Sequence, residues 1–230
     1  MRAVALVAAA GSGERLGGGQ PKALVPLGGR PLLAWCLSAL AASRHLDRAV
    51  LAAPPGHEGE LSRVAKDAAP TLRLDIVAGG DSRSASVANA LAAAGECDIM
   101  AIHDAARPLV TADLFDRCIE ELQSHDCSGV VAAAPATDTI KEVDAGGTVL
   151  ATLVRSRLWA VQTPQVFRTE ALRRALAAGS LGRAYDDAQL VEDAGGTVRI
   201  VAATRENLKV TNKLDLRLAE ALLAARSAGA

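Results

Sequence analysis

The residues best placed to do chemistry stand near the amino terminus: Gly11, Ser12, Gly13 and Arg15, then Lys22 beyond a run of glycines and Pro21. They follow directly on Ala3-Val4-Ala5-Leu6-Val7-Ala8, an apolar run that reads as a fully buried strand. Glycines let backbone N–H groups approach an anion closely, and one arginine and one lysine add charge; that combination handles phosphate. Spacing excludes two common loops of this kind. A dinucleotide fingerprint beginning at Gly11 needs a glycine where Leu16 stands, and a P-loop beginning at Gly13 meets Gly19 where it needs lysine, while Lys22 is followed by Ala23. Arg15 and Lys22 would share a face of one helix, but three glycines and a proline between them disfavour helix. The loop is therefore expected to fold back, so that the two cations converge on one ligand. The plainer alternative is a flexible strand-to-helix connection with solvated charges.

Positioning such a loop is the task of the elements that follow. Helical spacing over Leu32–Leu40, 58–69, 84–94 and 113–123 alternates with strand-like runs at 48–53, 72–77, 99–102 and 129–134. This pattern predicts a doubly wound, mostly parallel α/β sheet with ligands at the carboxyl ends of its strands. Two post-strand segments stand out. Gly79-Gly80-Asp81-Ser82-Arg83-Ser84-Ala85-Ser86 reads either as ligand-binding or as a helix cap supplied by Asp81, Ser82 or Ser84. In His103-Asp104-Ala105-Ala106-Arg107, Asp104 could hold a divalent cation or form a loop ion pair with Arg107, and His103 reads as structural. The alternation then breaks. Residues 137–143, a Gly146-Gly147 turn and 148–154 read as a β-hairpin without an intervening helix. Such an arm has little apolar surface of its own to pack on and is expected to lie on another subunit. Beyond it, Asp186 starts a helix as a cap, a strand spans 198–202, Lys209 sits in a short extended segment, and 214–225 is the last helix.

Composition narrows the classes. Half of the 230 residues are hydrophobic but 2% are aromatic, which leaves no stacking platform for bases, and a formal net charge of -1 is wrong for a duplex binder. Nucleic acid is thus not an expected partner. Cys36, Cys97, Cys118 and Cys127 are dispersed without a C-x-x-C pair and read as small core residues of a reducing compartment. The amino terminus has no signal-peptide architecture and no apolar run reaches membrane-span length, so a soluble cytoplasmic protein with one domain over residues 1–230 is expected.

The motifs together resemble the 2-C-methyl-D-erythritol 4-phosphate cytidylyltransferase family of sugar-phosphate nucleotidyltransferases. The resemblance runs through 9–22, Gly79-Gly80 with Arg83 and Ser86, 103–108, Asp138-Thr139-Ile140-Lys141, Leu158-Trp159 with Thr163-Pro164-Gln165, Asp186-Asp187-Ala188 and Lys209-Val210-Thr211. It implies a Rossmann-like sheet with an exchanged β-arm at about 137–155, a homodimer, and cytidylyl transfer from CTP to the methylerythritol phosphate of the non-mevalonate isoprenoid route, with Mg²⁺. It also implies site roles. Arg15, Lys22, Arg155 and Lys209 are the catalytic cations, and Ala9, Ala10, Gly11, Ser12, Gly13, Gly80, Asp81, Ser86 and Ala105 line CTP. Asp104 lies near the metal, and Arg107, Thr139, Arg155, Thr163 and Lys209 hold the sugar phosphate, with Thr139 and Arg155 arriving from the partner. Arg157, two residues on, competes with Arg155 for that assignment. Ribitol 5-phosphate is the alternative acceptor, and a nucleotide-binding regulatory module without turnover is the reading from another class.

Overall fold

The apolar run at the amino terminus forms β1 (Ala3–Ala8), the strand on which the site is built, in a computed structural model that describes residues 1–17, 19–178 and 184–228. In chain order there follow β2 (Pro26–Leu27), β3 (Arg30–Pro31), α1 (Leu32–Ala41), β4 (Leu46–Ala53), α2 (Glu58–Ala68), β5 (Arg73–Ala78) and α3 (Arg83–Ala93). Next are β6 (Ile99–Asp104), α4 (Ala112–Ser124), β7 (Gly129–Pro135), β8 (Lys141–Val143), β9 (Val149–Thr152) and β10 (Trp159–Arg168). The chain ends with α5 (Thr169–Ala177), α6 (Asp187–Asp193), β11 (Val198–Ala202) and α7 (Lys213–Ala228).

Seven strands form one sheet in the order β11-β7-β10-β6-β1-β4-β5, parallel except for β10, which runs antiparallel to both neighbours. Alternation along β1 explains why helices cover both faces. Ala3, Ala5 and Val7 join a core with α1, α2 and α4, whereas Val4 and Leu6 join a second core with α3, α5 and α6. A third, smaller cluster packs Val25, Leu27 and Leu32 against Val210 and Ala219, fixing the carboxyl-terminal segment over the β2–β3 turn.

The chain leaves β1 for β4 and β5 on one side and returns to β6 on the other, so the crevice between β1 and β6 is the topological switch point at which such sheets bind ligands. Register sets its floor, because Ala8 pairs with both Ala52 and Asp104. The expected hairpin is present as β8 and β9, paired only with each other, and it exposes Ile140, Val143, Val149, Leu150 and Val154.

Close backbone approach at the mouth of the crevice depends on Gly79, whose N–H donates to the Ala53 carbonyl at 2.7 Å. A Cβ there would lie 2.4 Å from the Ala10 Cβ and 3.1 Å from the Ser86 Oγ. Gly79→Ala is therefore expected to destabilise the fold by about 1–3 kcal/mol, roughly 2–4 °C of unfolding midpoint for each kcal/mol in a chain of this size. Thermal unfolding checks this, and an unchanged midpoint would mean that Ala10 and Ser86 move aside without strain.

Candidate active site

The glycine loop does fold back. The Lys22 N–H donates to the Gly11 carbonyl at 3.0 Å, closing the segment into a bight. Gly13 permits the turn with φ of 74°, where a side chain would crowd the Gln20 carbonyl and the Lys22 backbone at 3.2 Å. Arg15 and Lys22 each sit in a single 3-10 turn, Glu14–Leu16 and Lys22–Leu24, on opposite limbs of the bight.

Below the loop a cleft of about 420 Å³ is lined by Ala9, Ala10, Gly11, Ser12, Lys22, Gly80, Asp81, Arg83, Ser86, Asp104, Ala105 and Lys209, among others. Of these, all but Arg83 are expected from the sequence as nucleotide, catalytic or metal residues; Gly13 shapes the loop without lining the cleft, and Arg15 stands on the loop outside it. Ser82 is the cap of α3, accepting from the Ala85 N–H at 3.0 Å. The Ser86 hydroxyl differs from expectation: it accepts from the Gly80 N–H at 3.1 Å and donates to the Ser82 carbonyl at 2.9 Å. It therefore holds the Gly80 turn in place instead of presenting a free hydroxyl.

Asp104 forms the floor. Neither of its carboxylate oxygens pairs with Arg107; Oδ1 accepts from Arg83 Nε at 2.8 Å and Oδ2 from Lys209 Nζ at 2.7 Å. Burial alone would raise its pKa, but Arg83 and then Lys209 overcome that and hold it well below the usual carboxylate range. Lys22 is depressed by burial, with Lys209 and then Arg15 adding repulsion, so cations crowd the cleft and its rim and a polyanion would relieve them. Mg²⁺ needs oxygen ligands and keeps many of them as phosphate and water. Asp104 and Asp81 supply carboxylates at the cleft, which suits a cation carried in on phosphate oxygens, while among the described residues no group of three or more His, Cys, Asp or Glu could cage a metal.

The residues expected to hold the acceptor divide. Arg107 lies behind the cleft, its Nη1 donating to the Asn207 carbonyl at 2.8 Å, and burial lowers its pKa. Thr163 is buried, with its hydroxyl engaged inside the chain. The direction of these bonds follows from chemistry. The Arg107 carbonyl can only accept, so His103 Nε2 donates to it at 3.2 Å, which leaves Nδ1 to accept from the Thr163 hydroxyl at 2.9 Å. Thr163 Oγ1 in turn accepts from the Asp104 N–H at 3.1 Å. His103 and Thr163 thus hold the Asp104 backbone in position. Thr139 and Arg155 lie on the arm, outside their own chain's cleft, with Arg155 Nη1 donating to the Thr137 carbonyl at 2.8 Å. Arg157 is exposed beside it.

The model of the 2-C-methyl-D-erythritol 4-phosphate cytidylyltransferase family matches residues 3–225. The chain belongs to that family. A cytidylyltransferase of this name from Rhodococcus jostii is 45% identical over 220 residues, covering 96% of this chain and 94% of that protein. The crystal structure of the Thermus thermophilus cytidylyltransferase superposes with a TM-score of 0.76 at 34% identity, over 96% of this chain and 98% of the other. A 4-diphosphocytidyl-2C-methyl-D-erythritol synthase from Anaerococcus prevotii gives 0.86 at 25% identity, over 97% and 96%. The cytidylyltransferase motifs at Arg83 and Asp187 were visible as sequence matches, but no role attached to them. The structure pairs them, with Arg83 Nη1 donating to Asp187 Oδ2 at 2.6 Å.

Burial pushes the His103 imidazole from 6.5 down to about 4. Unfolding lets it regain its ordinary value, so the unfolded chain binds the extra proton between those limits. The associated stability is full above pH 6.5 and lost as pH falls towards 4, up to about 3 kcal/mol. Denaturant titrations across that window should show the slope in the native chain and its loss in His103→Gln, which cannot charge. Equal slopes in both would contradict a buried neutral His103.

Proposed function

We propose that this chain transfers the cytidylyl group of CTP to 2-C-methyl-D-erythritol 4-phosphate, releasing pyrophosphate, in isoprenoid precursor synthesis. The observation that carries the reading is the convergence of Lys22, Lys209 and, on the loop above, Arg15 on a backbone-lined cleft at the sheet's switch point, in a member of the family. An acceptor phosphate oxygen attacks the α-phosphorus, the new P–O bond forms as the α–β bridge breaks, and the electron pair leaves on pyrophosphate. No proton has to move, and no covalent enzyme intermediate is required. Catalysis by this chain is positioning together with charge stabilisation.

In this reading Arg15 and Lys22 offset charge on the α-phosphate and the departing pyrophosphate, Lys209 sits between the two substrates, and the Gly80–Ser86 turn with Ala105 borders the nucleoside. Mg²⁺, when bound, neutralises triphosphate oxygens, with Asp104 as its protein carboxylate. Lys209 is half-exposed and can leave Oδ2 while Arg83 keeps Oδ1. The cytoplasm, where CTP is made available, fits this chemistry, and no helix among the described residues is long and apolar enough to cross a membrane.

Pyrophosphate release with CTP and Mg²⁺ tests the assignment directly. Methylerythritol 4-phosphate should support turnover and ribitol 5-phosphate should not; the opposite preference would keep the nucleotide chemistry and overturn the acceptor.

The homodimer belongs to the same proposal. The arm exposes Leu150 at 61% and Val154 at 63%, surface that a partner would cover while Thr139 and Arg155 complete the partner's cleft. Inactive Arg15→Ala and Arg155→Ala chains, mixed by unfolding and refolding, should then recover roughly a quarter of native activity. Half of randomly paired dimers are mixed, and each contains one intact site. Absence of recovery would mean that each site is built from a single chain.

A further inference from the structure

Four charges alternate from the core to the cleft. Asp187 Oδ2 accepts from Arg83 Nη1 at 2.6 Å, Arg83 Nε donates to Asp104 Oδ1 at 2.8 Å, and Asp104 Oδ2 accepts from Lys209 Nζ at 2.7 Å. Asp187 is fully buried, and among the described residues its Oδ1 has no hydrogen-bond partner. Burial raises its pKa, with Arg83 opposing. As a stabilising device this is poor, because a buried ion pair scarcely repays desolvation and an orphan carboxylate oxygen adds a penalty. Its placement, however, is tightly specified. The start of α6 is keyed to β10 through Gln165, whose Oε1 accepts from the Ala188 N–H at 3.1 Å and whose Nε2 donates to Asp186 Oδ2 at 3.0 Å.

We infer that Asp187 is a positioning residue for cytidylyl transfer: by holding one end of the Arg83 guanidinium, it keeps Arg83 on a single oxygen of Asp104 and leaves the other facing Lys209 and the cleft. Arg83 lines the same cleft as Lys22 and Lys209. Without the charge of Asp187, its planar fork is free to take both oxygens of Asp104, displacing Lys209, or to turn outward to the triphosphate. Added contact with the triphosphate strengthens ground-state binding without helping the transition state. Turnover suffers, and CTP affinity does not.

The inference rests on the cytidylyl-transfer reading, and steady-state kinetics of Asp187→Asn separates the two. kcat is expected to fall about 10- to 100-fold, in the range seen for residues that orient a reacting group from behind, while KM for CTP stays within about threefold of native or drops. A packing defect would instead raise KM or lower the fraction of active, folded chain, which thermal unfolding reports. The double variant with Asp104→Asn decides the route. If Asp187 acts through Asp104, the pair loses no more than Asp104→Asn alone; multiplicative losses would overturn the inference, as would native turnover in Asp187→Asn. Should that variant fail to fold, Arg83→Lys keeps the cation but lacks the two-ended planar fork whose Nε and Nη1 span Asp104 and Asp187, and the same kcat loss is expected, with native turnover overturning the proposal. Silence of the unaltered chain with CTP and either acceptor would overturn the cytidylyl-transfer reading, and this inference with it.

Discussion

A carboxylate buried at the carboxyl end of β6 must be paired, and most of the site follows from how Asp104 is paired. Its backbone is fixed by sheet register opposite Ala8 and by the Thr163 hydroxyl; its oxygens are fixed by two cations from distant segments. Lys209 reaches it because Asn207 Nδ2 donates to Gln162 Oε1 and to the Thr163 carbonyl, while the Val210 N–H donates to the Ala106 carbonyl at 2.7 Å. The β10 strand, the 207–210 segment and the start of α3 are thus all held around one anion. The antiparallel insertion of β10 beside β6 is what brings Thr163 and Gln165 to this end of the sheet.

Polar strain is concentrated in the same place. Among the described residues the buried side-chain atoms without partners are Arg107 Nε, Asp187 Oδ1 and Asn207 Oδ1, and all three residues border the Asp104 network. Elsewhere the interior is alanine, valine and leucine on both faces of the sheet, with Phe115 and Phe167 as its large fully buried aromatics. A core of small aliphatics brings backbones close, which suits a cleft whose lining is largely glycine, alanine and main-chain N–H. Native structures leave few buried polar groups unsatisfied, so their clustering around the Asp104 network, behind the cleft, marks that network as shaped for more than stability.

The elements were legible because their patterns are strong: the unbroken apolar run of β1 and the helical spacing of α1 and α4 stand where the sequence placed them. The fold-back of the glycine loop was legible for a steric reason, since Gly17 to Gly19 and Pro21 leave no helix to form. Hydroxyl roles were not legible. Ser86 and Thr163 have the chemistry of ligand contacts, and only three-dimensional placement shows that the proton of each is already donated within the chain. The pairing of Arg83 with Asp187 joins residues 104 apart in sequence, and no local spacing encodes it.

In the proposed dimer, the arm would add to a cleft that is already well supplied with cations for the nucleotide. The acceptor brings a second anion, yet Arg107 is already engaged with the Asn207 carbonyl and the Thr163 proton with His103, which makes the exposed Arg155 and Arg157, at the base of a hairpin that leaves the sheet, suitable cations for its phosphate. That hairpin is stiffened at its tip by Asp144, whose Oδ1 accepts from the Gly146 and Thr148 N–H groups, and it exposes aliphatic side chains along its length. A polar turn at the end of an apolar ribbon is built to lie along another surface while keeping its own shape. Supplying the acceptor's cations from a partner would separate the two halves of the charge problem: the nucleotide's phosphates met by a loop rigidly tied to β1, and the acceptor's met only when a second chain is in place.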